Sequence, residues 1–135
     1  MERAVANLLA VGRVPEAAPI AADLVAAAPQ HRIGNLALAA ESLIERRFDG
    51  ALARLSSQPE GFHPLVGGLL AAWAARGAGE DAEAALDAIE DRPIFTTFAE
   101  YHRGLLRAQA GDHAGAVAAF EAALALMRGP TARVA

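Results

Sequence analysis

Three alanines set the frame of this chain. Ala17, Ala51 and Ala85 stand 34 residues apart, and Ala116 follows 31 residues later. Each is followed four positions on by Ala21, Leu55, Ile89 or Phe120. Residues four apart share one face of a helix. A small residue and a following partner that recur at this interval mean one supersecondary unit built several times over. Such a repeat constrains the fold before any local propensity is weighed.

Alanine makes up about a quarter of the chain, so the spacing needs independent support. The breaks supply it. A short turn precedes each pair: Gly12-Arg13-Val14-Pro15-Glu16, Arg47-Phe48-Asp49-Gly50, Gly77-Ala78-Gly79-Glu80-Asp81 and Gly111-Asp112-His113. Glycine ends a helix at little cost because it accepts positive φ. Asp49, Asp81 and Asp112 are placed to cap the helix that follows. Pro15 suits a first helical turn, where its missing N–H costs nothing. Apolar periodicity predicts first helices at 2–11, 32–46, 64–76 and 95–110, and second helices at 15–28, 50–57, 81–90 and 113–127. Pro29, Pro59, Pro64, Pro93 and Pro130 all fall in the breaks. Alternating runs of β-branched and aromatic residues are absent, so the fold class is all-α.

With these residues in place, the chain resembles the tetratricopeptide-repeat family, in a degenerate form of bacterial type. The last unit carries the resemblance best, in Gly104 at the small position of its first helix, the Gly111-Asp112-His113 turn, Ala116 with Phe120, and Ala123-Leu124. The first unit matches in Ala17, Leu24 and Pro29, the second in Ala39, Ala51 and Leu55. The third departs. A turn one residue longer puts Ala72, not Trp73, at the small position, and the stretch 57–64 is irregular. The resemblance implies a right-handed solenoid of about four antiparallel helix pairs in a single domain, 1–135. Its units would span about 1–30, 31–62, 63–93 and 94–129. The whole could also be a piece of a longer array.

The resemblance further implies a concave groove lined by first helices. Its positions fall on Leu36 and Ala40, Leu69 and Trp73, and Tyr101 and Leu105, with Glu2 and Ala6 at the start of the row; His102 can join it. The groove would be mostly apolar. It lacks the Lys, Asn and Arg set with which some family members grip a terminal carboxylate. The expected partner is a protein or peptide that presents an apolar helix or extended segment. Trp73 and Tyr101, the single Trp and Tyr, fit a core as well as an interface. Repeat arrays need polar caps, and none is visible here. The helix 114–127 is apolar around Ala116, Val117, Phe120, Ala123, Leu124 and Met127, and residues 129–135 read as a frayed tail. Self-association through this end is therefore a second expectation.

Nothing in the sequence builds a recognisable reaction centre. The four histidines, His31, His63, His102 and His113, lack partners at metal-ligand spacing, and no cofactor is expected. Glu100-Tyr101-His102-Arg103 are consecutive on a helix and diverge; Glu100 and Arg103 suit a surface ion pair. Gly67-Gly68 and Gly77-x-Gly79 lack the spacing and preceding strand of a phosphate loop. Ser56, Ser57, Thr96 and Thr97 have no base placed beside them by helical spacing. The alternative to a binding module is an enzyme, or an accessory domain of one, with a site assembled from scattered side chains. All 12 basic residues are Arg, scattered in a chain of net charge −4, which disfavours nucleic acid. No apolar run is long enough to span a bilayer, and cysteine is absent. The weak basic start before residue 14 reads better as a helix than as a signal, leaving the cytoplasm as the default expectation.

Overall fold

The structure, a computed structural model, describes residues 1–129. The expected frayed tail beyond residue 129, with Pro130, lies outside the described residues. Eight α-helices follow one another: α1 (Glu2–Ala10), α2 (Val14–Ala27), α3 (Arg32–Ile44), α4 (Phe48–Ser57), α5 (Pro64–Gly77), α6 (Ala82–Asp87), α7 (Pro93–Gln109) and α8 (His113–Arg128). A 3-10 turn, Pro59–Gly61, fills the irregular stretch between α4 and α5. No strand occurs among the described residues, and no helix there is long and apolar enough to cross a membrane.

The turns inside the pairs repeat one backbone motif. Gly12, Arg46, Gly79 and Gly111 all have positive φ, at 77°, 61°, 78° and 84°. Each donates its N–H to the carbonyl three residues back. The next residue then reaches five back, at 2.7–2.9 Å: Arg13 to Leu8, Arg47 to Ser42, Glu80 to Ala75, Asp112 to Arg107. This left-handed closure satisfies carbonyls that a helix end leaves free. Three of the four positions are glycine, as the conformation favours. The fourth, Arg46, holds it against its own Cβ.

That second turn differs from expectation. It closes at Arg46, so Gly50 lies inside α4, and Asp49 stands in the first turn of α4 rather than capping it. Asp81 and Asp112 do cap, accepting from the N–H groups of Ala84 and Gly115. Helix α6 is shorter than the expected 81–90. Ile89 already closes a tighter turn onto the Leu86 carbonyl, and Arg92 is extended ahead of Pro93, the conformation a following proline favours. Ile89 packs where Gly68 leaves room: a Cβ there would come within 2.4 Å of it.

Each helix packs on the next in sequence. In addition α1 touches α3, and α5 touches α7. Small residues fill the crossings. Ala17, Ala21, Ala37, Ala39, Ala51 and Ala72 are fully buried. A Cβ on Gly104 would lie 2.4 Å from the Phe120 ring, and one on Gly77 as close to Phe48. Such contacts let backbones approach closely. The apolar interior forms separate clusters. One joins Val5, Ala17, Ala21 and Ala37 of α1–α3; another joins Ala72, Leu86 and Leu106 of α5–α7. Asn35, on α3, is buried as well. Its amide nitrogen donates to the carbonyls of Pro29 and His31, each at 2.9 Å, and its oxygen accepts from Arg54 at 3.2 Å. Both amide hydrogens and one acceptor site of the oxygen are thereby used.

Candidate interaction surface

Helices α7 and α8 run antiparallel. Arg107 reaches the Gly115 carbonyl, Gly104 faces Phe120, and the start of α7 lies beside the end of α8. There an open groove of about 510 Å³ is lined by Ile94, Thr97, Phe98 and Tyr101 of α7 and by Leu126 and Met127 of α8, with Pro93 and Ala123 completing it. None of these side chains is charged. Several are well exposed: Met127 by 71%, Ile94 by 64%, Tyr101 by 48% and Phe98 by 44%. Leu124 and Val117 on α8 are exposed as well. Single exposed apolar residues are ordinary, whereas a contiguous set on one helix pair is a distinctive surface feature.

Four rings lead into this face. The Trp73 indole N–H donates to Nδ1 of His102 at 3.0 Å. His102 meets Tyr101 edge-on at 5.5 Å between ring centroids, and Tyr101 leans on Phe120 at 5.9 Å. Because Nδ1 accepts, the neutral ring carries its proton on Nε2. Burial pushes the His102 pKa below its ordinary value, since a partly desolvated ring resists charge.

Of the residues expected to line a groove, Trp73, Tyr101 and His102 are thus brought together. Leu69 and Trp73 also pack on the Ala72–Leu86–Leu106 cluster, so they serve the core as well. Leu105 is half-buried on α7, and Leu36 and Ala40 are half-buried on α3. Of the preceding pair, α5 packs on α4 rather than α3, which separates Leu36 and Ala40 from the aromatic group. Ile94 and Phe98 were not among the expected residues. The sequence signal for them was Pro93: read as the first residue of a helix, it places Ile94, Phe98, Tyr101 and Leu105 on one helical stripe.

The opposite side of α7 is ionic. Arg103, 12% exposed, contacts Glu83 at 2.8 Å, Asp87 at 2.7 Å and Glu100 at 3.3 Å. Arg107 grips Glu83 through two nitrogens, at 2.7 and 3.1 Å. These hydrogen bonds, those from Arg107 foremost, hold the Glu83 carboxyl down at about 2. A polar cavity of about 400 Å³ adjoins this network and includes Arg76, Glu80, Asp81, Glu83, Arg107 and Asp112. Asp81 and Asp112 are engaged as helix caps and Glu83 is an ion-pair anchor. A carboxylate held so far below neutrality is a poor general base. Elsewhere, Nδ1 of His31 and of His63 accepts from the first turn of α3 and of α5. No cluster of three or more potential metal ligands occurs among the described residues. The Thr97 hydroxyl donates to the Pro93 carbonyl, and Thr96 bonds Asp91.

No family model matches the chain, and no curated protein or solved structure matches it either.

Proposed function

We propose that this protein is a helical-repeat interaction module of the tetratricopeptide kind, and that it docks a partner helix across the open face of α7 and α8. The observation that carries the reading is the uncharged groove between Ile94, Phe98 and Tyr101 on one helix and Leu126 and Met127 on the other.

Packing within the chain supports it. Helix α3 lies against both α1 and α2, and α7 against both α5 and α6. In these two cases the helix that opens a pair rests on both members of the preceding pair, whereas α5 rests on α4 of the pair before it rather than on α3. The α7/α8 groove is the corresponding seat at the end of the series, with no further helix of the described residues upon it. Its natural occupant is an amphipathic helix, since helix-in-groove recognition reads apolar residues at i, i+3, i+4 and i+7. The recurring turn at Gly12, Arg46, Gly79 and Gly111 supports a solenoid built from equivalent units.

The test is amide chemical-shift mapping while amphipathic helical peptides are titrated in. Shifts should concentrate on Ile94, Phe98, Tyr101 and Met127, and Phe98→Arg should abolish them. Shifts confined to Leu36, Ala40 and Leu69 would move the docking site to the first-helix groove and sink this assignment.

A further inference from the structure

We infer that the occupant of the α7/α8 face is a second copy of this chain, docked through the same face about a twofold axis. This rests on the reading of that face as a helix-docking surface and adds the identity of the partner.

Spacing is the first argument. Ile94, Phe98, Tyr101 and Leu105 follow one another at steps of four, three and four. Val117, Phe120, Leu124 and Met127 do so at three, four and three. Both are the steps of an interhelical seam. The Tyr101–Phe120 ring contact ties the two seams into one surface. A four-helix arrangement, two from each copy, would close it on itself.

Charge is the second. A twofold contact sets a patch against its own image, so a charged patch would repel itself. The groove lining contains no charged residue. Glu121 and Arg128, exposed on α8, offer both signs for a polar rim.

The surface of α1 and the start of α2 is a poorer match for this face than the face is for itself. The exposed positions of α1 are Glu2, Arg3, Ala4, Asn7 and Ala10, and those near the start of α2 include Pro15, Glu16 and Pro19. Met1 and Val11 are exposed, but they flank α1 instead of forming a stripe along it. Such a surface would bury charge against the apolar face, whereas the face against itself buries apolar on apolar.

Area is the third argument. The large side chains Ile94, Phe98, Tyr101, Val117, Leu124 and Met127 are all exposed. They present on the order of 600 Å² per copy, so pairing covers on the order of 1,200 Å², the lower bound of a specific interface.

Sedimentation equilibrium of the full chain over a concentration series tests the inference. The expected mass is twice 13.9 kDa, falling to the single mass in Leu124→Arg and in Met127→Arg. Both side chains are exposed, and circular dichroism checks that each variant folds. Because the chain has no cysteine, a single pyrene on Glu121→Cys should give excimer emission in the dimer, and one on Ala4→Cys should not. The monomer mass of 13.9 kDa at every concentration overturns the inference. So does a dimer indifferent to both Arg variants, or excimer from Ala4→Cys alone. A monomer that still binds helical peptides at Ile94 and Phe98 removes self-association and leaves the docking reading standing. A face that neither pairs nor binds a peptide removes both.

Discussion

Trp73 and His102, on helices α5 and α7, are joined by a hydrogen bond in which the indole N–H donates to Nδ1 of the imidazole at 3.0 Å. The bond requires the neutral ring, because a protonated Nδ1 has no lone pair to offer. It couples the α5–α7 core to Tyr101 and so to the exposed face.

The first prediction follows from that bond. The folded-state pKa of His102 is depressed by burial, so its neutral form is favoured on folding. The resulting stability is complete above the ordinary histidine range and is lost as pH falls through the depressed folded value. Urea unfolding followed by Trp73 fluorescence should show a loss of stability below about pH 6.5 that is smaller in His102→Gln, which keeps an acceptor and cannot titrate. Equal pH slopes in the two proteins would remove His102 from this account.

Arg46 predicts a gain. It occupies at φ 61° the position that Gly12, Gly79 and Gly111 fill in the other turns. A left-handed conformation costs a residue with a Cβ about 1–2 kcal/mol, offset in part by glycine's greater freedom when unfolded. Arg46→Gly should stabilise the protein by about 1 kcal/mol, read as a raised melting temperature. A lowered one would mean that the Arg46 side chain contributes more than its backbone costs.

Gly104 predicts a loss. Alanine would improve helix propensity by about 1 kcal/mol, but its Cβ would fall 2.4 Å from the Phe120 ring. Overpacking of this kind costs about 1–3 kcal/mol. Gly104→Ala should be net destabilising in chemical denaturation, and it should shift the ring resonances of Phe120 and Tyr101. The double variant with Phe120→Ala should not add the two penalties, since the clash disappears with the ring.

Glu83 predicts an acid-side effect of the usual carboxylate sign. Its folded pKa, about 2 against an ordinary 4.5, makes it stabilising above the ordinary value. That contribution is lost as pH falls from there toward about 2. The side chain is 39% exposed, so solvent screening leaves about 1 kcal/mol of the effect. Glu83→Gln should cost about that much at neutral pH, and the gap from the parent should vanish in strong acid. A gap that persists there would point to packing rather than charge.

The period of the alanines, the glycines at the turns and the prolines in the breaks were enough to place all eight helices. These are local determinants: propensity, capping and φ preference act over a few residues. For the same reason Gly104 and Ala72 could be assigned to close crossings. The turn at Arg46 was misplaced by a few residues because no glycine marks it. Ile94 was missed because its helix was begun two residues late. Asn35 carried no signal at all, since its partners Pro29, His31 and Arg54 converge on it only in the folded chain.

What the sequence determined, then, is the succession of helices and the apolar stripe on each. Only the tertiary structure decided which stripes are covered. Leu86 and Leu106 are buried together between α6 and α7, while Ile94, Phe98 and Met127 face outward. An amphipathic pattern specifies that a face seeks an apolar neighbour; it does not specify which neighbour reaches it. Burial is a property of the assembled packing, and at the α7/α8 end the packing of the described residues leaves the stripe open.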